Sequence, residues 1–570
     1  MSESTPKLSF REQIKGFPLW QMAILSCMRF AEPLALTSPF PYLYFMIRDF
    51  KIAKTPGDIA KYSGYLAASF ALFEFLCCAQ WGTISDKVGR KPILLCGLGG
   101  TAVAIIIFGF STNFFTAMFA RSLMGCFNGN IAVLRTAIGE VAHEKKHQGL
   151  AFSWYSLLWN VGAVLGPMIG GSKYLTRPKI DGEEPSLVTS IFMTSNGDSA
   201  YWDFVNSHPY ALSNIAIGLF CGFSFTIGLL FLQEPNERFQ NRRDWGLEIG
   251  DFILKILGFE MPVRPWQKSE TQPSETTALI GDLNSSVFDE TSVNAYAPES
   301  TYPDAVARRY SSEQLGPVIS PTASNSVIRT NIDHSFSREI FTPPVVQTTI
   351  ANFLSAFHYV IFTEFLPVLL AGQFMPEKLK FPFTISGGFG YDSNMIGNLL
   401  SSTGLIGAVG ILFIFPYLDR NFKTITTFRV STIITPFAYA VLPFLIFTKH
   451  DFDSRYAPWF TKTLLYILCC LESCSSSVGF PNLLMLIHRA APAKHRAFIN
   501  GTSLSLNSLA RCLGPIGWGY LMTFCENHNM VELSWLILGL LAFICCIQSF
   551  YMKDYDEEEE SIEVGNQEDV

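Results

Sequence analysis

Apolar runs close to the length of a bilayer crossing recur along the chain, separated by short polar turns. About twenty apolar residues in a helix cross the hydrocarbon core. Inside that core only a helix or a closed barrel satisfies the backbone. The runs fall in two groups of six. The first group lies near 17–45, 62–83, 92–111, 114–139, 149–171 and 209–233. The second lies near 345–371, 394–417, 424–447, 458–486, 499–523 and 533–551. The pattern predicts an all-α membrane protein of twelve transmembrane helices in two six-helix pseudo-repeat halves. The expected organisation is a tail over 1–16, a first half over 17–233, a central loop over 234–342, a second half over 343–551 and an acidic tail over 552–570.

Short basic turns orient the bundle. Lys87 to Lys91, Lys145-Lys146, Arg420 to Lys423 and Arg489 to Arg496 mark a cytoplasmic side, and an even number of spans puts both termini there. The opposite loops carry Arg48, Lys51, Lys54, Arg177 and Lys179, but they are longer and mixed with acids. The central loop is rich in Ser, Thr, Pro and Asn and reads as disordered. Its opening segment, 244–259, differs. Trp245, Leu247, Ile249, Phe252, Ile253, Ile256 and Leu257 fit one helix face beside Arg242, Arg243 and Lys255. Such a segment lies on the membrane surface or folds loosely against the bundle.

Composition narrows the function class. The chain is 49% hydrophobic and 16% charged, against roughly 25% charged in soluble domains. Its net charge of -7 comes partly from the run Asp554 to Glu560 and gives no sign of a nucleic-acid partner. The 13 Cys sit in or beside the apolar runs without a C-x-x-C, and read as small apolar side chains. No disulfide framework and no metal cluster follows. Neither a nucleotide-binding loop, a G-x-S-x-G nor a His/Cys metal spacing occurs, so an enzyme is not expected and no cofactor is called for.

Three motifs carry the functional reading. In Trp81 to Pro92, Gly82 and Gly89 allow a sharp turn and close helix approach. There Asp86 can cap the next helix or accept from a basic neighbour, and Arg90 and Lys91 supply the charge. The set resembles the loop between helices two and three of the major facilitator superfamily, G-x-x-x-D-x-x-G-R-[KR]. In the fifth run, Gly162, Gly166 and Gly170 form a stripe of small residues for backbone-to-backbone packing, and Pro167 invites a bend. With Gly171 they resemble the G-x-x-x-G-P-x-x-G-G element of the drug:proton antiporter branch. Arg121 opens an R-x-x-x-G element similar to the one that the family links to proton coupling. The resemblance implies the major facilitator fold and secondary active transport.

Two echoes relate the halves: Leu165-Gly166-Pro167 with Leu513-Gly514-Pro515, and Asp86 with Asp419-Arg420. Parallel halves suit a two-lobed rocking transporter. Within the superfamily, Arg29 to Tyr44 and His208 to Leu212 resemble a fungal and plant group that includes the zinc-induced facilitators. Plant members have a Cys-rich first span and a His-rich central loop. Here only Cys27 and His334 stand in those places, so the resemblance does not carry zinc handling over.

Ionisable residues inside the runs are the candidate site, because charge within a bilayer is costly unless it is paired or wet. Arg29 and Glu32 are spaced to pair on one helix face. Glu74, Glu364 and Glu472 are flanked by apolar residues, and each suits either proton loading or a fixed ion pair. Arg121 is the expected partner of Glu74, and Asp86 with Arg90 the expected cytoplasmic gate. Trp154, Tyr155, Trp159 and Phe357 suit a cavity for an amphipathic or cationic solute, and equally lipid-facing packing. The leading expectation is proton-coupled antiport of a small organic or drug-like solute. The alternatives are a transport-inactive sensor or scaffold acting through the central loop, and a metal-chelate exporter. Expected partners are the lipid bilayer, the small-molecule substrate and protons. Glu275, Leu279 and Ile280 also match an acidic dileucine signal read by sorting adaptors, which favours a vacuolar, lysosome-like membrane over the plasma membrane or the ER and Golgi.

Overall fold

The structure, a computed structural model, describes residues 15–142, 145–176, 204–205, 207–259, 264, 266, 341–492 and 496–553. Glu275, Leu279 and Ile280 and the tail beyond 553 lie outside them.

The first half comprises α1 (Leu19–Thr37), α2 (Leu43–Asp49), α3 (Asp58–Val88), α4 (Arg90–Gly109), α5 (Phe114–Asn128), α6 (Ile131–Val141), α7 (Lys145–Gly170) and α8 (Ala211–Phe231). A shorter helix, α9 (Trp245–Ile256), follows. The second half comprises α10 (Pro343–Ala371), α11 (Ser393–Val409), α12 (Phe415–Asn421), α13 (Thr424–Val441), α14 (Phe460–Ala490), α15 (Arg496–Asn527) and α16 (Val531–Tyr551).

Every expected run is helical, and four are interrupted. Pro39 and Pro41 separate α1 from α2, because proline lacks the N–H a continuing helix needs. Gly129 and Asn130 separate α5 from α6. A π turn over Gly410–Ile414, ahead of Pro416, joins α11 to α12. α13 tightens at Pro443 into a 3₁₀ turn, Leu442–Thr448. Among the described residues, seven helical segments are long and apolar enough by themselves to cross a membrane. α3 passes only as two segments, Asp58–Cys78 and Gln80–Val88, bent by 42°. α1, α5–α6, α7 and α15, which are broken or carry polar residues such as Arg121 and Arg511, are not among the seven.

Within the halves α1 packs on α7 and α8, and α4 on α8; α10 packs on α15, and α13 on α14 and α16. The principal contacts across the halves are α3 on α15 and α7 on α11. In chain order these are spans two with eleven and five with eight, which a twofold pseudo-symmetry between six-span repeats exchanges.

The cross-half contacts gather toward the end opposite the Asp86–Lys91 turn. Thr523 Oγ1 donates to Gly57 O at 2.8 Å, and the hydroxyls of Tyr65 and Tyr520 meet. A Cβ on Gly64 would lie 2.2 Å from Pro515 O, so this approach tolerates only glycine. Nearer the turn, Ile84, Lys87 and Val88 of α3 are exposed. Among the described residues, these cross-half contacts mark the end opposite the Asp86–Lys91 turn as closed.

Candidate functional site

The turn is tighter than the sequence suggests. Gly89 alone separates α3 from α4, at φ 113°, a backbone region that favours glycine. Gly82 does not open a turn: it lies inside α3, and a Cβ there meets nothing within 4 Å. A single residue at positive φ reverses the chain, so helical hydrogen bonding persists through Gly82.

Nor does Asp86 cap α4. It accepts from Arg90 Nη1 at 2.6 Å. The cap is Glu234, just beyond α8, which accepts from the backbone N–H of Arg90 at 2.7 Å and of Lys91 at 3.0 Å. Those amides have no helical partner of their own, and an anion suits a helix N-terminus. Arg90 also donates to Glu140 from Nη2 at 2.9 Å and to Ser85 Oγ from Nη1 at 2.5 Å. Lys91 Nζ donates to Leu229 O at 2.8 Å and Asp244 Oδ2 at 2.7 Å. The other oxygen of Asp244 caps α9, accepting from Gly246 and Leu247 N–H. Turn, α8 terminus and α9 are therefore one polar network. Gly246 and Gly250 lay α9 against the α8 backbone, while Trp245, Phe252 and Ile256 remain exposed.

The glycine stripe of α7 seats on α1. A Cβ would fall 2.3 Å from Pro33 Cγ at Gly162, 2.0 Å from Thr37 Oγ1 at Gly166 and 1.8 Å from Ser38 O at Gly170. Gly171 turns to the other half, where a Cβ would lie 2.6 Å from Ser393 O, and Pro167 O stands 2.6 Å from the Cβ position of Gly397. The motif holds α7 to α1 and ends in the cross-half contact.

Between these features lies a belt of buried charge. Glu74 Oε1 accepts from Asn128 Nδ2 at 2.9 Å, and Oε2 stands 3.0 Å from Arg511 Nη1 of α15. Arg121 is not the partner of Glu74. It is fully buried, with its guanidinium 5.1 Å from the Phe70 ring centre and 5.9 Å from that of Phe108. The reason is helical register: Arg121 and Asn128 are two turns, about 10 Å, apart along α5, and Asn128 is the one level with Glu74. Glu364 on α10 faces the charges of both Arg121 and Arg511, and its Oε2 is buried without a hydrogen bond. Arg29 and Glu32 form an ion pair within α1. Arg29 also stacks over Tyr155 at 4.0 Å and Trp159 at 4.9 Å, while Arg135 Nε donates to Tyr155 OH at 3.0 Å. Glu472 stands apart, inside the second half on α14.

Arg511, Glu140, Glu234 and Asp244 were not singled out from the sequence. Arg511 carried a usable signal, since a lone Arg just ahead of Leu513-Gly514-Pro515 is a charge inside an apolar run. Glu234 and Asp244 gave none, being ordinary acids past the end of a span.

The sequence pattern of the Major Facilitator Superfamily matches residues 25–375 and 348–568. The chain belongs to the major facilitator superfamily. Within it, the chain is 30% identical to the major facilitator superfamily multidrug transporter mfsB of Aspergillus fumigatus, over 98% of this chain and 87% of the relative. It is 35% identical to the protein ZINC INDUCED FACILITATOR 1 of Arabidopsis thaliana, over 90% and 86%. Among solved structures it is similar in fold to a bacterial homolog of the human lysosomal transporter Spinster in an inward-facing, unoccupied conformation. That match has a TM-score of 0.56 at 12% identity and covers 94% of this chain and 97% of the other. Family and fold are those of membrane transporters.

Proposed function

We propose that this major facilitator is a proton-coupled antiporter that moves a small organic solute out of the cytosol by alternating access. The observation that carries the reading is the Glu74–Arg511 contact, which joins the halves at mid-bundle. An ionised carboxylate without a cation is costly in a helix bundle, and a proton removes the cost. While the halves are closed on each other around Arg511, Glu74 holds its charge and has released its proton. When that end opens, Arg511 withdraws and Glu74 takes a proton from the far side. The basic turns make the Asp86–Lys91 end cytoplasmic, so solute loads there while Glu74 is ionised. The name of the Aspergillus relative, a multidrug transporter, supports an organic solute. The dileucine-like Glu275, Leu279 and Ile280 support a vacuolar membrane.

The test is metabolite, drug and metal-chelate profiling of isolated vacuoles from cells lacking the protein, cells with wild type and cells with Glu74→Gln. A solute depleted in the first, restored by wild type alone and lost when the lumenal acidity is collapsed is the expected result. Equal restoration by Glu74→Gln removes Glu74 from the coupling.

A further inference from the structure

Glu472 is buried on α14 and faces a small cleft of about 30 Å³ between α10, α13 and α14, enough for a water molecule or two. No Lys or Arg is among the residues that line it. The titratable groups facing the carboxylate are Tyr359 of α10, Tyr439 of α13, and Cys469 and Cys474 of α14 itself. All are of types ordinarily neutral near pH 7. His358 of α10 also lines the cleft, its Nδ1 3.3 Å from Tyr439 OH. Among the described residues no Lys or Arg faces Glu472, whereas Glu74 has Arg511; burying a carboxylate without a counter-cation favours binding a proton.

The sequence leads a polar path to this group. On α13, Thr424, Thr427, Ser431 and Thr435 recur every three or four residues and are all buried. On α10, Thr348, Asn352, Ser355 and His358 do the same. Both stripes begin at the end where Arg420 and Lys423 stand and run toward Glu472. Ser431 and Thr427 donate to carbonyls three residues back, which leaves their oxygens free to accept. Ser475 Oγ donates to Ser431 O at 2.5 Å, and Thr435 Oγ1 lies 3.1 Å from Ser475 Oγ. A hydroxyl both donates and accepts, so a row of them with intervening water passes a proton without net change.

We propose that Glu472 is a second proton-binding site, internal to the second half and reached along the α13 hydroxyl stripe, separate from the Glu74–Arg511 pair. A proton delivered through the stripe adds to one carboxylate oxygen of Glu472. Each hydroxyl on the way gives up one proton and accepts another. The site deepens the antiporter reading and rests on it only for the use made of the proton.

The test is infrared difference spectroscopy of the full-length protein in lipid vesicles, stepped in pH with no solute present. The expected result is a carbonyl band of a protonated carboxyl that grows as the pH falls. That band is lost in Glu472→Gln, displaced but retained in Glu472→Asp, and kept in Glu74→Gln. Ser475→Ala combined with Thr435→Ala slows its deuterium exchange. Identical spectra for wild type and Glu472→Gln, or a Glu472 band indifferent to pH, overturn the proposal. Because no solute is present, this result is independent of whether Glu74 couples transport, which the vacuolar profiling decides.

Discussion

Arg511 of α15 reaches across the boundary between the halves and sets Nη1 3.0 Å from Oε2 of Glu74 on α3. The contact belongs to neither half alone. Asn128 holds the other carboxylate oxygen from within the first half, so Glu74 is oriented before Arg511 arrives. Rocking the halves apart changes the charge environment of Glu74 without disturbing its position.

Removing Arg511 is therefore expected to harm the protein more than removing both charges. Arg511→Gln leaves the carboxylate with Asn128 alone. Because Arg511 is partly exposed, the cost is set at about 1–3 kcal/mol, below the ~3–5 kcal/mol of a broken fully buried pair. The double variant Glu74→Gln with Arg511→Gln should regain most of that loss. Thermal unfolding of the purified protein measures all three, and simple additivity of the single changes would count against an ion pair.

The glycines of the two motifs make opposite predictions. Gly170→Val drives a side chain into Ser38 O, which a Cβ would already meet at 1.8 Å. The clash is with backbone, so neighbouring side chains cannot relieve it, and a loss of about 1–3 kcal/mol or failure to fold follows. Gly82→Ala meets open space inside a helix and should stabilise α3 by roughly 0.5–1 kcal/mol. If closing the Asp86–Lys91 end brings another helix onto Gly82, transport falls while the melting temperature rises. Measuring both on one preparation separates the two effects.

Much of this arrangement was legible in the sequence wherever the signal is local. The i,i+3 spacing of Arg29 and Glu32, the four-residue repeat of Gly162, Gly166 and Gly170, and the Asp86–Arg90 spacing each specify a relationship within one or two turns of helix. The misreadings involve the third dimension. Arg121 and Asn128 share a face of α5, and nothing in their spacing says which one is level with Glu74. The cap on α4 comes from Glu234, which follows α8, and the partner of Lys91 comes from the first turn of α9. Both depend on how α4 and α8 pack. Helix interruptions were half legible: Pro39, Pro41, Pro416 and Pro443 mark theirs, whereas the Gly129–Asn130 break has only a glycine.

Glu234 gives a third prediction. Its two oxygens hold the Arg90 and Lys91 amides, and loss of a cap typically costs about 0.5–2 kcal/mol. Glu234→Ala should therefore speed amide hydrogen exchange across the first turn of α4. Asp244→Ala should speed exchange in α9, whose amides it caps, and disturb α4 less, because among the described residues its link to α4 is the Lys91 side chain. Equal exchange at α4 in both variants would mean that the network is held by its charges and not by the cap.

The closed end supplies the last prediction. Thr55 Oγ1 lies 3.3 Å from Asn527 Oδ1 across the two halves, within the same contact that seats Thr523 against Gly57. Thr55→Cys together with Asn527→Cys places two thiols there, at an exposed edge where oxidant reaches them. Alternating access requires this end to separate once per cycle, so oxidation should trap the form open at the Asp86–Lys91 end and stop transport. Reductant should restore it, and either single variant should be unaffected by oxidant. The naturally present Cys525 is buried on α15, so oxidised single variants are the control for stray bridges. Accessibility of a thiol introduced at Val88 should stay high in the trapped form and fall in cycling protein supplied with solute. Full transport by cross-linked protein would mean that this contact persists through the cycle, and the opening would then have to occur elsewhere on the boundary between the halves.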